Sequence, residues 1–170
     1  MEELGRISVE DFKSKPKNPI VIVLDNIRSL HNVGAAFRTG DAFMVEKVWL
    51  CGITGKPPHR DIHKTALGAT ESVEWEHAPS TEEAVKQLKE EGYTILLAEQ
   101  TQASTPLQQY GFDPEQKYAF VFGNEVFGVS DEVLPLADHC LEIPQFGTKH
   151  SLNISVSVGI FLWQYLSRKL

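Results

Sequence analysis

Three short stretches of this sequence gather amides, carboxylates, glycines and arginine in patterns that could grip an anionic, hydroxyl-bearing substrate. In the first, LDNIRSLHNVGAAFRTGDAF (24–43), Asn32, Gly34 and Arg38 fall within one helical pattern. Arg38 lies about two turns beyond Asn32, so it projects from the helix body and not from its cap. A guanidinium fork suits a phosphate or a polarised hydroxyl. The plain alternative is a helix packed through its alanines with Arg38 in a surface ion pair, and this stretch alone leaves both open. In the second, FVFGNEVFGVSDEVL (120–134), Gly123 and Gly128 let the backbone fold tightly while Asn124 and Glu125 offer polar groups. The alternative is an ordinary strand-to-helix turn. The glycine spacing is not that of a dinucleotide fingerprint. In the third, LEIPQFGTKHSLNISVSVGIFLW (141–163), a glycine-containing loop precedes Ser151, Leu152 and Asn153 at a helix start. Free N–H groups there bind polar ligand atoms, and Ser151 and Asn153 equally fit as caps.

Each stretch must be presented by the element before it. PIVIVLD (19–25) is a continuous apolar, β-branched run, as expected of a strand buried on both faces. KVWLCG (47–52), YTILLAE (93–99), YAFVFG (118–123) and CLEIP (140–144) read the same way, and SVEWEH (72–77) alternates like an edge strand. Helices are predicted over 7–14, 32–43 and 80–92, the last capped by Ser80 or Thr81 and stopped by Gly92. A short helix capped by Ser130 is expected after the second stretch, and a long apolar one over 151–170 closes the chain. Segments 54–69 and 99–117 read as loops. This alternation predicts an α/β fold, a mostly parallel sheet with helices on both faces. All three polar stretches then sit at carboxyl ends of strands, where open α/β sheets bind ligands. The final helix is apolar almost all round and calls for a second surface, for which a partner subunit is the natural candidate.

Bulk properties narrow the class. The chain has 170 residues, 42% of them hydrophobic and 23% charged, which suits one compact domain over 19–170 after a polar lead-in of residues 1–18. No window has the length of a membrane span, and the charged start lacks a signal-peptide core, so a cytoplasmic protein is expected. Cys51 and Cys140 sit in strand-like runs and are expected to be buried, reduced thiols. His59 and His63 are four apart but lack a third ligand, so no metal is expected. A net charge of −7 argues against a general nucleic-acid coat. Lys56, His59, Arg60, His63 and Lys64, with Arg28, Arg38 and Lys149, nevertheless offer a local basic patch.

Taken together the three stretches resemble the motifs of the SpoU/TrmH branch of the SPOUT methyltransferases, in order and near the family's spacing. Asn32, Gly34, Ala35 and Arg38 match N-x-G-A-x-x-R. Gly123, Asn124, Glu125, Gly128, Val129 and Ser130 match the second motif, and Ile143, Pro144, Gly147, Ser151, Leu152, Asn153, Ile154, Ser155 and Val156 the third. The likeness runs from about residue 19 to the end.

The resemblance implies a C-terminal half threaded into a deep trefoil knot and a pocket for S-adenosylmethionine. That pocket would be formed around Leu97, Ala98, Glu99, Gly123, Asn124, Gly128, Ile143, Pro144, Leu152 and Asn153. It implies methyl transfer to a ribose 2′-hydroxyl of RNA, with tRNA favoured over rRNA. Arg38 would position the substrate and stabilise charge, while Asn32, Glu125, Ser151 and Asn153 orient substrate and arginine. It also implies a homodimer joined through the first and last helices, with Arg38 of one subunit near the cofactor of the other. The alternative is a non-catalytic RNA- or nucleotide-binding module that retains the fold.

Overall fold

The computed structural model describes residues 5–170; the first four residues of the lead-in lie outside them. Among the described residues, seven strands form one sheet: β1 (Asn18–Asp25), β2 (Val45–Cys51), β3 (Trp75–Ala78), β4 (Tyr93–Ala98), β5 (Thr105–Pro106), β6 (Lys117–Phe122) and β7 (His139–Glu142). Their spatial order is β3-β2-β1-β6-β4-β7-β5, and every pairing is parallel. Six helices accompany them: α1 (Val9–Ser14), α2 (Leu30–Ala42), α3 (Arg60–Ala66), α4 (Ala69–Ser72), α5 (Thr81–Glu90) and α6 (Ile154–Ser167).

The continuous apolar strands have the burial that their sequence demands. Ile20, Ile22 and Leu24 of β1 face one layer, where they join Phe37 of α2 and Phe161 of α6. Val21 and Val23 face the other, with Val85 and Leu88 of α5. The sheet is therefore covered on both sides, as parallel sheets require. Aromatic packing links sheet and final helix: Phe120 and Phe122 each meet Phe161 edge-on, with centroids 5.6 and 5.4 Å apart. The lead-in is not merely a polar leader, because Phe12 of α1 is buried in the first layer.

Several local expectations differ from the structure. Segment 54–69 is not a loop throughout but forms α3 and the start of α4. The Nδ1 of His59 caps α3 by accepting from the Asp61 N–H at 3.0 Å, and Ile62 and Ala66, one turn apart, bury the inner face. No α-helix follows the second stretch; turns lead instead to a single 3-10 turn at Leu134–Leu136, because Ser130 spends its N–H and hydroxyl on Asp25. Segment 99–117 is largely irregular, yet β5 within it completes the sheet edge by pairing with β7. The edge strand predicted at 72–77 lies at Trp75–Ala78, paired with β2. The last helix starts at Ile154 and not at Ser151: Asn153 is its cap, its Oδ1 accepting from the Ser155 N–H at 2.8 Å. Both cysteines are free; Cys51 is buried, whereas Cys140 is only half-buried.

One glycine in the first motif has a packing reason. A Cβ on Gly34 would stand 2.2 Å from the Ile62 carbonyl oxygen and 2.1 Å from the Thr65 hydroxyl, so α2 and α3 meet backbone to backbone at this point. The backbone oxygen cannot swing aside as a side chain could. Gly34→Ala is therefore expected to cost about 1–3 kcal/mol by overpacking, which lowers Tm by about 2–4 °C per kcal/mol in a chain of this size. Thermal denaturation checks it; an unchanged Tm would mean the two helices separate without penalty.

Candidate active site

The carboxyl ends of β4, β6 and β7 and the start of α6 enclose a cleft of about 360 Å³, within the range of small-molecule sites, ~300–1,000 Å³. Residues from three distant parts of the chain meet there. Asn32 comes from α2; Gly123, Asn124, Glu125 and Gly128 come from the loop after β6; Ile143, Ser151, Leu152 and Asn153 come from the loop and turn before α6. Ala98 and Glu99 at the end of β4 complete the set of expected residues in the lining. Phe122, Leu141, Ile154 and Phe161 supply apolar wall. Glu99, Glu125 and Glu142 contribute carboxylates, and among the described lining residues there is no lysine or arginine.

Three expected residues are not in the lining. Leu97 is fully buried within β4, in the layer beneath α5. Pro144 lies beside the lining residue Ile143 without joining it. Arg38 projects from α2 into a separate groove of about 410 Å³, shared with Arg6, Ile7, Asp41 and Leu67. Within one chain, the first-motif arginine and the cleft are therefore distinct surfaces. In the basic segment, His59 caps α3 and His63 lies within it, and among the described residues no group of three metal-ligating side chains is assembled.

The loops owe their shape to hydrogen bonds crossing between strand tips. β1 ends on Asp25, which is completely buried. Its Oδ2 accepts the Ser130 N–H at 2.6 Å; its Oδ1 accepts the Ser130 hydroxyl at 2.8 Å and the Thr81 hydroxyl. The next residue, Asn26, has φ 53°, a left-handed conformation that asparagine tolerates better than most. The Asn26 carbonyl accepts from Asn124 Nδ2 at 2.6 Å, while Asn124 Oδ1 accepts from the Val126 and Phe127 N–H groups at 2.9 and 3.1 Å. Asn124 and Gly128 exchange two backbone bonds of 2.8 and 2.9 Å, closing the loop. Glu99 Oε2 accepts from the Val129 N–H at 2.9 Å. Gly128 has φ +72°, and a Cβ there would meet that carboxylate at 2.6 Å; a Cβ on Gly123 would strike the Gly128 and Val129 backbone at 2.2 Å. The side chains of Asn124 and Glu99 are thus spent on loop shape, leaving backbone to face the cleft.

Glu125 reaches in the opposite direction. Its two oxygens accept the N–H groups of Arg28 and Ser29, both at 3.1 Å, and so fix the turn that launches α2. Burial works to raise this carboxyl, but its own backbone N–H, those of Arg28 and Ser29 and the Asn32 amide together hold it below the ordinary carboxylate range. At Cys51 the balance is the reverse. Burial pushes the thiol up to about 12, with the Asp25 charge adding to the rise and the Thr81 hydroxyl opposing it. This thiol is a structural one.

Sequence reasoning missed the Asp25–Ser130 and Glu125–Arg28/Ser29 bonds, because nothing along the chain tells which strand tips are neighbours. It also missed Ser157 and His150 in the lining. Ser157 could have been found, since it lies one helical turn beyond Asn153 on the same face.

Two outcomes follow. Asp25→Ala removes the acceptor of four donors, the Ser130 N–H and hydroxyl, the Thr81 hydroxyl and the Asn26 amide, at about 1–3 kcal/mol for each left buried and unpaired, and is expected to lower the urea midpoint markedly; a midpoint within error of the parent would mean the loops hold without it. A carboxyl held below its ordinary value stabilises the fold at every pH above that value, and the contribution fades as acid takes the pH down through the lowered one. The parent protein is therefore expected to lose a component of Tm below pH 4.5, and Glu125→Gln to lack that component. Superimposable acid limbs would contradict it.

The site can be set beside known proteins. The SpoU rRNA Methylase family matches residues 19–163. The tRNA (guanosine(18)-2′-O)-methyltransferase of Thermus thermophilus is 30% identical over 168 residues, covering 99% of this chain and 84% of that protein. The 23S rRNA (guanosine-2′-O-)-methyltransferase RlmB of Neisseria meningitidis is 33% identical over 159 residues, covering 93% of this chain and 62% of its own length. Among solved structures, the A. aeolicus TrmH/SpoU tRNA modifying enzyme superimposes with a TM-score of 0.83 at 26% identity, over 95% of this chain and 80% of that one. The AdoMet-bound rRNA methyltransferase from Sinorhizobium meliloti gives 0.83 at 23% identity, over 97% and 62%, and so shares the fold.

Proposed function

The chain belongs to the SpoU methylase family, and from that premise we propose that it transfers the methyl group of S-adenosylmethionine to a ribose 2′-hydroxyl of RNA. The observation that carries this reading is the convergence of Asn32, the 123–128 loop and the 143–153 segment on one cleft. The cleft fits the cofactor in its chemistry: Leu141, Ile143, Leu152 and Phe161 offer an apolar wall for a purine, and three carboxylates unopposed by lysine or arginine favour a cationic ligand. When bound, S-adenosylmethionine supplies an electrophilic methyl on a sulfonium.

The chain's own residues then have separable tasks. Backbone at Ala98, Glu99, Gly123, Asn124, Gly128, Ile143 and Leu152, with Leu97 and Pro144 supporting it, holds the cofactor. Glu125 fixes the turn of Arg28 and Ser29 and with it the approach of α2 and Asn32. Ser151 and Asn153 orient the substrate at the start of α6, where backbone N–H groups are unpaired by the helix. Arg38 binds the substrate phosphate and positions the 2′-hydroxyl beside it, so that the hydroxyl proton passes to that phosphate as the oxygen takes the methyl and the thioether leaves; an arginine stays protonated, so it acts as positioner and not as base.

Arg38 lines a groove separate from the cleft of its own chain, so this mechanism calls for a second subunit. A homodimer through the first and last helices supplies it. α6 offers the surface: Val156 and Trp163 are 48% and 54% exposed. The C-terminal half, in which β6 lies between β1 and β4 and α6 returns over β6 to α2, is proposed to carry the trefoil knot, within one methyltransferase domain over 19–170 acting in the cytoplasm. No helix among the described residues is long and apolar enough to cross a membrane. A tRNA substrate is favoured over rRNA, since the chain spans more of the Thermus tRNA relative than of the Neisseria rRNA one.

Arg38→Ala is expected to lower kcat by at least about 100-fold while the Kd for S-adenosylmethionine, measured by calorimetry, changes less than twofold. Normal turnover of that variant would refute its role. Comparison of 2′-O-methyl sites in RNA from cells with and without the gene identifies the substrate, and sedimentation reads the subunit count; a monomer with full activity would defeat the shared site.

A further inference from the structure

Two large rings lie in the loops that line the cleft, and the fold does not use them. Phe127 is 84% exposed and Phe146 97% exposed. Neither joins either core layer, and among the described residues neither ring packs against another aromatic. Their positions are not arbitrary. Phe127 lies between the lining residues Glu125 and Gly128, and its root is fixed because its N–H donates to Asn124 Oδ1 at 3.1 Å. Phe146 follows the lining residue Gln145 and shares its loop with Lys149 and His150, the latter also in the lining.

We propose that Phe127 and Phe146 form a stacking platform at the cleft mouth for an unpaired nucleobase of the RNA, carried on or beside the methylated ribose. This rests on the methyltransferase reading above. A ribose whose 2′-hydroxyl enters a concave cleft cannot remain in a regular A-form helix, so its base or a neighbouring one must leave the stack. An unstacked base exposes a flat π-face, and proteins meet such faces with aromatic side chains because every base has one. A flanking cation suits the phosphates that accompany the base: Lys149 is exposed and three residues from Phe146. The apolar stripe of α6, by contrast, is assigned above to self-association. The platform also accounts for RNA engagement by a chain of net charge −7, since stacking supplies affinity without adding positive charge.

The test uses the full chain, tritiated S-adenosylmethionine and RNA extracted from cells lacking the gene. Phe146→Ala and Phe127→Ala are each expected to raise the KM for RNA by about tenfold, the scale of one lost stacking contact, with the Kd for S-adenosylmethionine and the sedimentation coefficient unchanged. Phe146→Trp is expected to restore the parent KM, whereas Phe146→Leu, similar in apolar bulk but without a face, is not. Full rescue by leucine, or an unchanged KM in both alanine variants, overturns the platform while leaving the methyltransferase reading intact. Loss of subunit association in those variants assigns the rings to a second copy and overturns it too. No transfer by the parent protein to any RNA in the extract defeats the methyltransferase reading and the platform with it.

Discussion

Two carboxylates, each at the tip of one strand and each spent on the loop that follows the other, hold the cleft in shape. Asp25 ends β1 and accepts from Ser130, which lies beyond β6. Glu125 lies just beyond β6 and accepts from Arg28 and Ser29, which lie beyond β1. The two strands are hydrogen-bonded neighbours in register, Leu24 opposite Phe122. The clasp is therefore reciprocal: neither loop can move without breaking charge-assisted bonds to the other. Loops carry many unpaired N–H groups, and a carboxylate can accept several at once. A parallel sheet supplies the constraint that makes this possible, because adjacent parallel strands bring their carboxyl ends side by side.

That constraint also sorts the motif residues by what they do. Asn124, Glu99 and Glu125 look in the sequence like ligand-binding polar groups, yet their side chains are largely committed to backbone N–H groups of neighbouring loops. Gly123 and Gly128 serve the same closure, since a Cβ on either would collide with the loop or with Glu99. Backbone and side chains around the cleft are then held in a fixed arrangement. Such preorganisation removes the ordering cost that a mobile loop would incur on binding.

Much of this was legible in the sequence, and what was not has physical causes. The buried strands announce themselves by continuous β-branched runs such as 19–25, and α5 by its cap and its glycine stop, because burial and capping are local in sequence. The cleft residues were legible as a set, through three motifs in family order. Their partners were not. Asp25 reads as the last residue of a strand, and only the insertion of β6 beside β1 makes Ser130 its neighbour, 105 positions away. Ser130 reads as a helix cap for the same reason, since its hydroxyl suits either task and tertiary proximity decides. Segment 54–69 reads as loop because its glycine and prolines hide two short helices whose stability comes from packing Ile62, Ala66 and Ala69 into the core, not from propensity.

The placement of charge carries the last step. The cleft has carboxylates and no lysine or arginine, while Arg38 and Arg6 share a groove elsewhere on the same chain. One surface suits a cation and the other an anion. A cationic methyl donor and an anionic RNA backbone must nevertheless come within bonding distance of each other. Were both sets of charges in one pocket, Arg38 would repel the cofactor and the glutamates would repel the phosphate. Holding them apart within a chain and joining them across a proposed twofold axis would let the cofactor cleft form without Arg38 in it, the arginine arriving together with the phosphate that neutralises it. On this reasoning the proposed dimer would do more than bury α6: it would bring a cation-binding cleft and a phosphate-binding arginine to one reaction.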